Sequence, residues 1–303
     1  MPGRACRTVA VLMGVGVLAG ACAATAGSST TKTLTIVAGE NFWGSVVSQL
    51  AGKAAQVTSV VTDPNIDPHN FESSSGTARL FADANYVVLN GGGYDGWAGK
   101  LISGNPNAKR KVLTIADLLG KRAGDNPHFW YSPEYVFKVT DQVTADLKSI
   151  DPADATYFDA QRSAFDTAMA PVRARLTTIR SRFAGTPVAA TESIFVYLAD
   201  YLGLKLLSPP GFMQAVAEGN DPPAPSVASF QDLLGRKQVK ELVYNRQTST
   251  AVTTNLRMLA TSRGIPVVGV TETIQPAGAT FQDWLGAELV DLQNALSAPS
   301  TGA

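Results

Sequence analysis

Downstream of residue 31 the chain alternates between two patterns of apolar positions. Short, mainly apolar runs at 34–38, 57–62, 86–89 and 112–115 read as strands, and 42–50 and 77–84 between them read as helices. Pro133 opens a helix that runs to about Ile150. Asp151-Pro152 then starts a longer helical stretch to Phe183. Its apolar positions (Phe158, Phe165, Met169, Val172, Leu176, Ile179, Phe183) recur at three- and four-residue spacings. Pro171 falls inside that stretch and is expected to kink it or break one backbone bond. Beyond Gly185 the alternation resumes, with strands at 187–190, 242–244 and 266–270 and a helix at 193–201. A proline-rich loop at 220–226 precedes another helix through Leu234, for which Ser226 is the expected N-cap. Strands separated by helices imply an α/β protein with mainly parallel sheets. The pattern breaks into two similar lobes joined by a long connector helix, although no repeat is visible residue by residue.

The N-terminal end is different in kind. Arg4 and Arg7 supply positive charge, residues 9–19 are almost wholly apolar, and small residues lead to Cys22. Such a run is too short to span a hydrocarbon layer of about 30 Å and fits the core of a signal peptide. The sequence Leu18-Ala19-Gly20-Ala21-Cys22 resembles the lipobox of bacterial lipoproteins, which implies cleavage before Cys22 and acylation of that cysteine. Ala19 stands where a larger aliphatic residue is usual, so simple cleavage near Ala21 is the alternative. The expected organisation is a signal peptide at 1–21, a flexible tether at 22–31, a first α/β lobe at 32–150, the connector at 151–183 and a second lobe at 184–303. The protein is thus expected outside the cytoplasm, held to the cell membrane by a lipid.

Composition narrows the chemistry. An apolar fraction of 45% with 17% charged residues suits a globular protein with a sizeable core, and a net charge of zero argues against nucleic-acid partners. Both cysteines lie within the first 22 residues, so no disulfide or thiolate metal site is available downstream. The only two histidines occupy matched settings, Asp67-Pro68-His69 and Asn126-Pro127-His128. Proline fixes its own φ and drives its predecessor to an extended conformation, so each imidazole is presented from a stiff loop. A lone histidine is usually packing; two in the same frame suggest ligands.

These motifs carry a resemblance. Asp67-Pro68-His69-Asn70-Phe71-Glu72 and Asn126-Pro127-His128-Phe129-Trp130 resemble the two histidine motifs of the metal-binding subunits of zinc and manganese ABC importers. So do Ala38-Gly39-Glu40-Asn41-Phe42-Trp43-Gly44-Ser45, Thr191-Glu192-Ser193-Ile194-Phe195-Val196-Tyr197-Leu198 and Gly269-Val270-Thr271-Glu272-Thr273, in order along the mature chain. The resemblance implies a metal site in the cleft between the lobes with four ligands: His69 and His128 from the first lobe, Glu192 and Glu272 from the second. The last ligand is usually aspartate, so Glu272 keeps the carboxylate on a longer arm. It further implies delivery of the ion to a membrane permease and, through it, an ATPase, by a monomer.

Two imidazoles and two carboxylates balance a dication and suit one Zn2+ or Mn2+ ion, with Fe2+ a third candidate; Cu+, Ca2+ and Mg2+ prefer other donors. Glu192 has a plainer reading as a first-turn acidic residue of a helix, and Glu272 as a solvated loop carboxylate. Glu40 reads as a helix cap, Trp130 as a wall beside His128, and Gly91-Gly92-Gly93 as a tight turn lacking the signature of a phosphate loop. A metal-dependent hydrolase using the same His and Glu residues is the alternative function. It needs an open coordination position for water, which four protein ligands would fill.

Overall fold

The computed structural model describes residues 1–3, 5, 8, 33–66 and 68–299. Cys22, the tether and most of the expected signal peptide lie outside the described residues, as does Asp67. Among the described residues no helix is long and apolar enough to cross a membrane.

From Thr33 onward the chain forms one compact unit built on two four-stranded sheets. In the first lobe β1 (Leu34–Glu40), β2 (Ala55–Val61), β3 (Tyr86–Leu89) and β4 (Lys111–Thr114) lie in the order β2-β1-β3-β4. In the second, β5 (Pro187–Ala190), β6 (Lys205–Leu206), β7 (Leu242–Asn245) and β8 (Val267–Val270) lie in the equivalent order β6-β5-β7-β8. Every pairing is parallel; Ile36 of β1, for example, stands opposite Val57 of β2 and Tyr86 of β3. Parallel neighbours cannot be joined by a tight hairpin, so the chain crosses over through helices such as Asn41–Ala51 and Ala251–Ser262. Helices on both faces explain why all four residues of β3 and of β7 are buried, and why those strands read as unbroken apolar runs.

The α/β, two-lobe architecture expected from the sequence is therefore present, and three local expectations change. The stretch at 151–183 is two helices, Ala155–Ala168 and Ala170–Phe183, after a short turn at Pro152–Asp154. Pro171 has no N–H for the carbonyl four residues earlier, and its ring crowds that turn, so the helix stops at Met169 and restarts. The helix expected to be capped by Ser226 begins earlier, at Ala224 after Pro223, because prolines already hold the φ that a first turn requires. Glu40 occupies the N-cap position of Asn41–Ala51 but its side chain caps nothing. Its carboxyl is buried beside Asp95, and burial, reinforced by the Asp95 charge, pushes its pKa well above the usual carboxylate range.

One apolar cluster runs through both lobes. It includes Phe42, Trp43, Tyr86 and Trp130 on the first side and Val188, Phe195, Trp284 and Leu289 on the second, with Phe158, Leu176 and Ile179 of the connecting helices between them. The C-terminal helix Phe281–Ser297 belongs to the second lobe in sequence. It nevertheless touches the first, where Ser45 Oγ accepts from the Phe281 backbone N–H at 2.9 Å.

Candidate metal centre

In an α/β sheet, ligands sit beyond the carboxyl ends of the strands. Each of the four residues singled out in the sequence follows a strand end: His69 after β2, His128 after β4, Glu192 after β5 and Glu272 after β8. The structure brings all four together. One donor atom from each, taken as a set, lies within 4.8 Å of every other. His128, Glu192 and Glu272 are fully buried, whereas 16% of the His69 side chain reaches solvent. His69 borders a cleft of about 500 Å3, whose lining includes Gly93, Tyr94, Asn126 and Glu218.

The His128 loop is over-determined. Asn126 Oδ1 accepts from the His128 backbone N–H at 3.1 Å and faces its Nδ1 at 2.6 Å, while Asn126 Nδ2 donates to the Ser193 carbonyl of the other lobe at 2.8 Å. Those partners fix the amide orientation and make Nδ1 the protonated nitrogen, leaving a lone pair on Nε2. Asn90, beyond β3, ties the same loop to the sheet: its Nδ2 donates to the Pro127 carbonyl at 2.9 Å and its Oδ1 accepts from Trp43 Nε1 at 2.9 Å. Trp130 packs against His128 with ring centroids 5.1 Å apart and stacks on Phe42 at 3.9 Å, forming the expected wall. Gly91 takes a left-handed φ of 72°, and a Cβ there would meet Thr114 Cγ2 at 2.5 Å, so glycine is required at that turn.

The carboxylates are held from the second lobe. Gln247 Oε1 accepts from the backbone N–H of Glu272 at 2.7 Å and of Thr273 at 2.9 Å, aiming the Glu272 side chain into the cleft. Across the cleft, Tyr94 donates its hydroxyl to Glu272 Oε2 at 2.7 Å. Asn245, at the end of β7, donates from Nδ2 to Glu272 Oε1 at 2.7 Å and also to Glu192 Oε2. Neither plainer reading applies: Glu272 is not solvated, and Glu192 precedes the turn Ser193–Phe195 with its carboxylate directed to the cluster.

Burial pulls the His128 imidazole down to about 3, with the Glu272 charge opposing and the His69 charge reinforcing that shift. Burial alone would raise Glu272, but the neighbouring imidazoles and the Tyr94 hydroxyl more than offset it and hold the carboxylate ionised. A neutral His128 cannot form an ion pair, yet its Nε2 lies 3.1 Å from Glu192 Oε1 and 3.9 Å from Glu272 Oε2. His69 Nε2 lies 3.3 Å from Glu272 Oε2. With its Nδ1 protonated, His128 turns an Nε2 lone pair on Glu192 Oε1, and two acceptors 3.1 Å apart suit a cation between them. One proton would relieve one pair, whereas four converging donors suit a dication.

The family model for the periplasmic component A of zinc-uptake complexes (ZnuA) matches residues 36–295. The chain belongs to this family. It is similar to the manganese-binding lipoprotein MntA of Bacillus subtilis, 24% identical over 251 residues covering 79% of this chain and 80% of that protein. It is also similar to MntA of Halalkalibacterium halodurans, 27% identical over 160 residues, which is 51% of this chain and about half (53%) of the relative's own length. A manganese-bound periplasmic metal-binding protein (S38A mutant) from Candidatus Liberibacter asiaticus superposes with a TM-score of 0.73 at 16% identity. That likeness covers 87% of this chain and 99% of that one, and establishes a shared fold. ZnuA-family membership gives the hydrolase alternative no support.

Sequence reasoning missed the residues that orient the ligands. Asn126 was within view, two positions before His128, where an Asx side chain commonly turns back on the backbone. Tyr94 and Asn245 carry no local signal beyond a polar group at the end of an apolar strand or a glycine turn.

Proposed function

We propose that this chain captures one divalent transition-metal ion outside the cytoplasm and delivers it to the membrane permease of an ABC importer. His69 and His128 bind through nitrogen, Glu192 and Glu272 through oxygen, and the ion is cargo. The observation that carries this reading is the approach of the neutral His128 Nε2 to Glu192 Oε1 at 3.1 Å, within a set of four donor atoms that all lie within 4.8 Å. Two neutral imidazoles and two carboxylates neutralise a dication and fit Zn2+, Mn2+ or Fe2+. Family membership supports the transport role and the permease as partner. The lipobox-like run ending in Cys22 supports a lipid anchor on the outer face of the membrane, with 32–150 and 184–303 as lobes around the connector at 151–183.

Elemental analysis of natively purified protein tests the reading. One tightly held ion per chain is expected, with that ion lost in the His69→Ala/His128→Ala double variant. An unchanged metal content in the double variant would overturn it.

A further inference from the structure

We propose that Asn245 sets how many oxygen atoms the two carboxylates give to the ion, and thereby selects zinc over manganese; this rests on the capture reading above. Asn245 is 1% exposed and its amide has a fixed orientation, because Oδ1 accepts from the Gln247 backbone N–H at 3.0 Å. Nδ2 therefore faces the cleft. Its two hydrogens are divided between the carboxylates, one going to Glu192 Oε2 and the other to Glu272 Oε1 at 2.7 Å. Each carboxylate has one oxygen engaged by the amide and turns the other towards the histidines, Glu192 Oε1 to His128 at 3.1 Å and Glu272 Oε2 to His69 at 3.3 Å.

An oxygen held by the rigid amide is turned from the ion; Glu272 Oε2 also accepts, from the Tyr94 hydroxyl at 2.7 Å, but it faces the histidines and keeps a second lone pair for the ion. Each carboxylate then ligates through one oxygen, and the shell closes at two nitrogens and two oxygens. Four ligands in a tetrahedron suit Zn2+. Mn2+ prefers a larger, oxygen-rich shell, which these residues can supply only if a carboxylate swings to offer both oxygens. Asn245 opposes that swing for both glutamates at once, and it does so without adding charge to the site. Thr248 Oγ1, a second donor to Glu192 Oε2, stands at 3.5 Å, a far weaker contact than that of the amide. Asn245 is thus a positioning residue acting through the ligands.

The test compares wild type with Asn245→Leu, which keeps the volume and removes both donors, and Asn245→Ser, which keeps one small donor. The probes are Zn2+ and Mn2+ alone, in competition titrations on the full mature chain. X-ray absorption at the zinc edge serves as a readout that a merely structural role would not move. Wild type is expected to hold zinc with four ligands. In Asn245→Leu the preference for zinc over manganese falls about tenfold or more, within the range for loss of a second-layer partner, and the zinc coordination number rises above four. Asn245→Ser, the safeguard should the leucine variant fail to fold, falls in the same direction by a smaller factor. A zinc-to-manganese ratio within about threefold of wild type, with four-coordinate zinc, in whichever variant folds overturns the inference and leaves capture standing. Wild type that binds neither ion overturns both.

Discussion

The first lobe reaches the cleft with imidazoles, carried on proline-stiffened loops beyond β2 and β4; the second reaches it with carboxylates beyond β5 and β8. Equivalent strand orders thus present opposite chemistries. The surroundings differ accordingly. Around His128 the first lobe places Trp130, Phe42 and Tyr94, an aromatic wall that favours the uncharged imidazole. Around Glu192 and Glu272 the second lobe places amides, Asn245 and Gln247, because a buried carboxylate is tolerable only where donors meet it. The neutral half of the site is held by packing and the charged half by hydrogen bonds.

The sharpest way to break that contrast is to remove the wall. Trp130→Ala deletes a fully buried indole and should cost about 3–5 kcal/mol in urea unfolding; a loss under about 1 kcal/mol would show that the first lobe does not depend on it. Glu272→Gln removes a charge while keeping the shape. It should weaken ion binding about 100-fold, or roughly 2.7 kcal/mol, by calorimetric titration, and leave the metal-free protein folded. A change of less than about threefold would mean that charge matters little on that side.

Behind the charged half lies Glu288, whose carboxyl is enclosed by Tyr131 and by Thr271, the neighbour of Glu272. Burial raises it from 4.5 to about 8, with the hydrogen bonds from Tyr131, Thr271 and Trp284 opposing. The folded state therefore keeps a proton that the unfolded chain releases. This contribution is fully present below about pH 4.5 and is lost as the pH rises to about 8, at up to ~1.4 kcal/mol per pH unit. Glu288→Gln imitates the protonated acid, so metal-free melting curves of variant and wild type should coincide near pH 4.5 and separate towards pH 8, with the variant higher. Parallel curves throughout would remove this group from the account. The smallest effect compares the two capping boxes, Ser74 with Thr77 in the first lobe and Thr250 with Thr253 in the second. Ser74→Ala and Thr250→Ala should each cost about 1 kcal/mol, equal in both lobes because neither touches the cleft.

Much of this was legible in the chain because it is written locally. The Asx-Pro-His loops need only short-range reading and the strands announce themselves as apolar runs, whereas Glu192 and Glu272 are picked out by the family resemblance, their local settings fitting a first-turn acid and a loop carboxylate equally well. The helix Gly96–Gly104 was hidden by its own glycines, and Pro210–Ala217 by an opening Pro-Gly pair that resembles a turn. Phe281–Ser297 is different: Trp284, Leu285, Leu289, Leu292 and Leu296 form a stripe as regular as that of Pro133–Ile150, and the pattern supports a helix there. The roles of Tyr94 and Asn245 are not local at all. Tyr94 meets a carboxylate 178 positions away, and Asn245 bridges residues 53 positions before it and 27 after it. The Asn245 contacts exist only once three strands of the second sheet lie side by side, and the Tyr94 contact only once the first lobe faces the same cleft.

The apolar cluster shared by the two lobes has a thermodynamic consequence. With Phe42 and Trp130 packed into the same body as Phe195 and Trp284, most of the buried apolar side chains are shared, and the clusters private to each lobe, around Phe81 in the first and Phe230 in the second, are smaller. Unfolding should be one cooperative transition, and an ion bound by four side chains should raise it as a whole, by about 2.7 kcal/mol at a free concentration 100 times the Kd. Occupancy of the centre could then be read from an amide anywhere in the molecule, including helices far from the cleft.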